Sequence, residues 1–195
     1  YKEIIPKVGF LINWLEKDLN GQTPLFSVCR SYDTPKYPEM IRSVFDTVDK
    51  WYTQNNSQFD YEDHIDNRGN TLLHILNSQV DVLLKYQRIN LNESNRKSYT
   101  PLMIYAKYNR AENIEKIIQD ERVNILKPDK NNFTCMDQSK NEQVSELLEQ
   151  QILLKNSPLV SGKQIGVIRI KLENNEWSIV IRGQIDGTYY TTTHS

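Results

Sequence analysis

The chain has 195 residues, 38% of them hydrophobic, and 24 basic residues against 25 acidic ones leave a net charge of −1. That length and balance suit one globular domain and part of another, and they lack the basic surplus expected of a nucleic-acid binder. The longest apolar runs, such as Val8-Gly9-Phe10-Leu11-Ile12, are four or five residues, far short of the ~20 that a membrane-spanning helix needs.

In chain order, residues 1–19 carry Pro6 near the start and Val8, Leu11, Ile12, Leu15 and Leu19 at helical spacing. The pattern predicts a helix that caps the exposed apolar end of a stack. Four similar phrases follow: Thr23-Pro24-Leu25-Phe26, Thr71-Leu72-Leu73-His74, Thr100-Pro101-Leu102-Met103 and Thr134-Cys135-Met136-Asp137. A threonine hydroxyl can bond the free N–H groups of a helix start, and a proline just inside loses no hydrogen bond, so each phrase predicts the start of a helix. The threonines lie 48, 29 and 34 residues apart, scattered around the period of a stacked repeat. Gly21 and Gly69 stand two residues before a threonine, where a tight turn favours positive φ. In the fourth phrase Asn132 holds that place.

The long first interval predicts an insertion, a helix whose one face is Met40, Ile41, Val44, Phe45, Val48, Trp51 and Tyr52. The third unit is the most complete, with Ala106 at a close-packing position and Ile114, Ile117 and Ile118 as the apolar stripe of its second helix. In the second unit the matching Val80, Leu83 and Leu84 come about five residues sooner after the threonine, so its first helix or turn is shortened. The fourth is trimmed similarly at Val144, Leu147 and Leu148, and with Ile152 and Leu153 its last helix closes the stack near Lys155. Beyond Asn156-Ser157-Pro158 the period switches from helix to strand, and four of the seven glycines fall in this tail. Strands are predicted near 165–172, 177–183 and 188–193, an antiparallel β-meander that must lean on the last helices or open a truncated second domain. With Tyr1 first and a strand-like Thr191-Thr192-Thr193-His194-Ser195 last, the sequence reads as a piece of a longer protein.

The pattern Asp-x-x-Gly-x-Thr-Pro-Leu-His, met most fully in Asp66-Asn67-Arg68-Gly69-Asn70-Thr71-Leu72-Leu73-His74, resembles the ankyrin repeat. The expected fold is therefore mainly α, an ankyrin-repeat solenoid of about four degenerate repeats over residues 20–155, with the capping helix before it and the β-meander of 156–195 after it. The whole arrangement is similar to fungal VARP-like endosomal proteins. That resemblance implies an exchange-factor domain for endosomal Rab GTPases ahead of the repeats and a phox-homology-like domain after them. It further implies repeats that dock a sorting-nexin-type partner, on a cytoplasmic protein held at endosomes through its partners. Thr192-Thr193-His194-Ser195 stands where that domain would carry an Arg-Tyr-Ser-type phosphoinositide contact, and threonine cannot make the bidentate bond of an arginine. Membrane contact is thus expected to be weak or indirect.

Motifs for catalysis are missing: the sequence has no phosphate loop, Gly-x-Ser-x-Gly elbow, His-Glu-x-x-His or Cys-x-x-Cys. Neither an enzyme, nor a cofactor, nor a metal site is expected of this piece. His64, His74 and His194 are scattered, and Asp60-Tyr61-Glu62-Asp63-His64 lacks the alternating oxygens and central glycine of a calcium loop. Cys29 and Cys135 suit small buried positions.

Binding is the better expectation. Counting from each threonine to the positions that face the hollow side of such a stack gives twenty residues, six basic and one acidic, in a chain whose charges balance. Arg30, Arg68, Arg96, Lys97 and Lys107, with the aromatic Tyr99, Tyr108 and Phe133, predict a groove for an extended protein segment with apolar anchors and acidic flanks. Two rivals remain: a regulatory or spacer region packed against a catalytic domain, and a lipid reader built on the β-segment through Lys163 and Arg169.

Overall fold

In a computed structural model the described residues are 9–31, 38–156, 165–173, 176–185 and 188–194. Side chains are described over 9–30 and 39–152. The chain divides into two compact units, Tyr1–Val144 and Ser145–Ser195.

In the first unit, a helix follows at once on each of the four threonines. These are α1 (Pro24–Ser31), α3 (Leu72–Ile75), α5 (Pro101–Lys107) and α7 (Cys135–Gln138). They pack in sequence as one row, α1 on α3, α3 on α5 and α5 on α7. A second row runs behind: α2 (Pro38–Gln54), α4 (Asp81–Leu84) and α6 (Ala111–Ile117), again each on the next. Between the rows lies the core, including Leu25, Phe26, Ile41, Phe45, Leu72, Leu73, Leu83, Tyr105 and Ile114, all fully buried. Each such side chain contributes about 1.5–3 kcal/mol of transfer free energy, and short helices need it, because isolated turns are unstable in water. The α2 stripe packs as its spacing requires, with Met40, Ile41, Val44, Phe45, Val48 and Tyr52 buried.

Two expectations are corrected here. The capping helix of residues 1–19 is replaced, over the residues described, by a 3₁₀ turn at Gly9–Leu11 and loops. Leu11 and Leu19 are 84% and 100% exposed, while Trp14 is buried and donates its indole N–H to Gly9 O at 3.0 Å. Gly9 lies so close to Thr47 that a Cβ would collide with its methyl, and this approach fixes the turn on α2 where a helical stripe was expected.

The expected fold class, an ankyrin-repeat solenoid running on into a β-meander, is corrected as well. The first unit is mainly α and, among its described residues, holds no sheet; its one strand-like feature is an isolated bridge between Ile65 and Thr71. Strand pairing belongs to the second unit, where β1 (Ile165–Glu173), β2 (Glu176–Ile185) and β3 (Thr188–His194) form antiparallel ladders in the order β1-β2-β3. Their register pairs Ile168 with Ile181, and Ile181 with Thr192. That unit also holds most of α8 (Glu142–Asn156), which buries Val144, Leu148 and Ile152. Lys163 and the side chain of Arg169, named for the lipid reading, lie outside the described residues.

Candidate functional site

Ahead of each threonine runs the same loop. Five residues before it stands Asp18, Asp66, Asn95 or Asp129, whose side-chain oxygen accepts two backbone N–H groups, two and four residues on. The bonds are Asn20 and Gln22 to Asp18, both 2.8 Å, Arg68 and Asn70 to Asp66, both 2.8 Å, Lys97 (2.9 Å) and Tyr99 (3.1 Å) to Asn95, and Asn131 (2.7 Å) and Phe133 (3.0 Å) to Asp129. The Gln22 N–H holds the Asp18 carboxyl below its usual range, with Asn20 adding to it. Two residues before the threonine the backbone is left-handed in all four loops: Gly21 (φ +74°), Gly69 (+72°), Ser98 (+65°) and Asn132 (+64°). Glycine therefore marked only half of the turns. The acceptor five residues upstream, which marks all four, is the sequence feature that would have found the others.

Successive loops are laced together. Asn67 N–H donates to Asn20 O (2.8 Å) and Arg96 N–H to Arg68 O (2.9 Å). A side-chain chain crosses three loops: Gln22 to Asp66 (3.2 Å), Asn70 to Asp66 (3.1 Å) and Asn95 to Asn70 (2.9 Å). His74 adds a further tie. Its Nδ1 accepts from the Thr71 N–H (3.2 Å) and lies 2.8 Å from the Thr71 hydroxyl, while Nε2 lies 2.9 Å from Tyr99 O. Since an amide only donates and a carbonyl only accepts, the proton sits on Nε2. Burial keeps the ring neutral, with its pKa lowered to about 4.

This lacing lines a cleft of about 570 Å³ with Arg68, Arg96, Lys97, Tyr99, Lys107 and Tyr108, six of the eight predicted contact residues. Asn67, Asn70, Asn95 and Ile104 complete it. Ile104 was missed because the repeat count passes from the residue before the threonine to the seventh after it, and Ile104 is the fourth. Lys107 Nζ lies 5.0 Å from the centroid of the Tyr99 ring, and the Arg110 guanidinium 5.6 Å from that of Tyr108, which is 61% exposed. Among the described residues Arg68, Arg96, Lys97 and Lys107 form no ion pair, and no carboxylate lines the cleft. Arg30, at the end of α1, and Phe133, 50% exposed in the fourth loop, are not brought to it. Nor is Gln79, counted on the hollow side from Thr71: it is 7% exposed, because the single turn of α3 draws the chain inward there.

A second cleft, about 440 Å³, is electrostatically different. Its Lys85 pairs with Asp49 at 2.8 Å and Asp46 at 3.6 Å, and the Tyr86 hydroxyl donates to Asp49 at 2.7 Å. Its charges are largely answered from within. His64, between the Thr23 hydroxyl (2.7 Å) and the Tyr52 hydroxyl (3.0 Å), is fully buried, and Asp60 caps the 3₁₀ turn of its segment by accepting from Glu62 N–H at 3.0 Å. Cys135 donates to Ile125 O, and burial pushes its thiol up to about 12. Among the described residues no group of three His, Cys, Asp or Glu side chains could hold a metal ion, and no helix is long and apolar enough to cross a membrane.

No family model matches the chain. It is 46% identical to a UPF0507 protein of Saccharomyces cerevisiae over 144 residues, 73% of this chain and 19% of the relative. It is 40% identical to one of Kluyveromyces lactis over 179 residues, 91% of this chain and 16% of the relative. A UPF0507 protein of Debaryomyces hansenii is 42% identical over 134 residues, 67% of this chain and 11% of the relative. The chain thus spans under a fifth of the length of these curated relatives. These names correct the resemblance to ankyrin-repeat and VARP-like exchange proteins: threonine phrases report a helix start and its loop, a local geometry that carries no ancestry. By sequence, what this chain is similar to is a short stretch of the yeast UPF0507 proteins.

Proposed function

We propose that the helical unit is a noncatalytic docking module whose groove grips an extended, acidic segment of another protein through Arg68, Arg96, Lys97 and Lys107, with Tyr99 and Tyr108 as apolar anchors. The observation that carries this reading is four basic side chains around one cleft without a carboxylate among its lining residues. Unpaired exposed cations beside aromatic rings suit a partner with acidic flanks and an apolar anchor, since arginine and aromatic contacts dominate binding hot spots and complementary charge steers association. The endosomal setting and the sorting-nexin tail came with the corrected resemblance and are not carried forward; any membrane association would pass through the partner.

The test is fluorescence anisotropy with short acidic peptides that carry leucine or phenylalanine between the acids, against scrambled-charge controls. Binding should weaken with added salt, as screening predicts. The triple variant K97E/K107E/Y108A should lose it by at least about tenfold, with an unchanged melting temperature because all three side chains are exposed. Equal binding by wild type and variant would sink the groove and favour a spacer role.

A further inference from the structure

The groove's hydrogen-bonding capacity is one-sided. Its floor amides are engaged: Asn95 Oδ1 accepts from Lys97 and Tyr99 N–H, Asn95 Nδ2 donates to Asn70 Oδ1, and Asn70 Nδ2 donates to Asp66 Oδ2. Asp66 is buried and takes N–H donors from Arg68, Asn70 and Gln22, so its charge is turned into the loops. Arg68, Arg96, Lys97 and Lys107 carry all the charge that remains, and these side chains only donate; the neutral oxygens of Asn67, Tyr99 and Tyr108 beside them cannot balance it. A ligand must bring the acceptors.

The two arginines are set side by side by the backbone itself, because the Arg96 N–H donates to Arg68 O at 2.9 Å. Both side chains are exposed and neither forms an ion pair among the described residues. Like charges held on neighbouring chain segments repel, and an anion between them relieves the repulsion. A guanidinium fork matches a phosphate edge in two parallel bonds, whereas lysine offers a point charge. One carboxylate neutralises one arginine; a phosphate monoester, at roughly −1.5 to −2 with three acceptor oxygens, neutralises both.

We propose that the Arg68–Arg96 pair receives the phosphate of a phosphorylated serine or threonine in the docked segment, with Tyr99, Ile104 and Tyr108 taking an apolar residue from the same face of that extended chain. This deepens the docking reading above and rests on it.

Three matched libraries of short peptides, with central phosphoserine, glutamate or serine and degenerate flanks, would be presented to the full 195-residue chain and the retained sequences titrated by anisotropy. Phosphoserine peptides should bind about tenfold tighter than their glutamate twins. R68K/R96K keeps the charge and removes the forks; it should cut that advantage to about twofold, because a phosphate loses two forks where a glutamate carboxylate loses only one. Equal affinity for phosphoserine and glutamate twins would overturn the phosphate site and leave docking intact, whereas retention of no library would bring down docking as well. In a parallel arm, phosphatidylcholine vesicles are compared with and without a phosphoinositide. Vesicle binding that R68K/R96K abolishes, with no phosphopeptide retained, would assign the phosphate to a membrane and overturn the proposal.

Discussion

The second and third helical units show two ways of finishing the same local plan. The third has a seven-residue helix on each side of its turn, α5 and α6, and Thr100 accepts from Met103 N–H at 3.3 Å to cap the first. The second has only single turns, α3 and α4, and single turns leave nearly all their carbonyls without helical partners. The third unit supplies those partners. Tyr105 donates its hydroxyl to Leu73 O at 2.6 Å, Arg110 and Asn113 donate to Leu76 O at 2.9 and 3.2 Å, and Asn113 Oδ1 accepts from Val80 N–H at 3.3 Å. Arg122 donates to the carbonyls of Leu84, Tyr86 and Gln87 and is itself held by Asp120. The short unit is therefore held in shape by its neighbour's side chains rather than by its own helices.

The sharpest way to break this dependence is pH. His64 and His74 are both buried with pKa values lowered from 6.5 to about 4, chiefly by burial. The unfolded chain takes up protons as pH falls through 6.5 and the folded chain does not until about 4. The histidine contribution to stability is accordingly full above 6.5, is lost between 6.5 and 4, and levels off below. The loss is on the order of 3 kcal/mol per histidine. Urea unfolding followed by tryptophan fluorescence at successive pH values checks this, and a flat profile across that window would refute neutral burial.

Next in size, Asn113→Ala strips partners from Leu76 O and Val80 N–H at a fully buried site and should cost about 2–3 kcal/mol by the same assay. Arg122→Ala should cost about 2 kcal/mol, and Arg122→Lys should restore little of it, because one ammonium cannot reproduce the fork that spans three carbonyls. Tyr105→Phe, losing one buried bond, should cost about 1 kcal/mol. If hydrogen exchange in these variants fails to show α3 and α4 opening before α5 and α6, the proposed dependence is wrong. The smallest effect has the opposite sign. Gln79 sits at φ +52° with a buried Oε1 that has no hydrogen-bond partner among the described residues, so Gln79→Gly relieves both strains and should stabilise by about 0.5–1 kcal/mol, seen as a higher urea midpoint.

The helix starts were legible because a threonine and the apolar pair after it act within one turn. The α2 stripe was legible because period alone places its buried face. Six of the eight residues counted from those threonines as contacts line the cleft, since the loops repeat one backbone path. Arg30 and Phe133 were counted too, but the cleft is lined by residues of the second and third loops and their helices, and neither of the two is among them. The capping helix failed for a similar reason: an apolar period in residues 1–19 says nothing of whether a surface exists to bury it, and Trp14 with the Gly9 turn takes that surface.

The sequence by itself determined where helices begin, which faces are apolar, and that basic residues gather at the loop tips, all consequences of interactions within a few residues. Only the tertiary structure decided that three successive loops lace through Asp66, Asn70 and Asn95, that one unit satisfies another's carbonyls, and that Arg68 and Arg96 stand together. Those outcomes depend on groups some 25 to 44 positions apart in sequence, whose meeting no local period encodes.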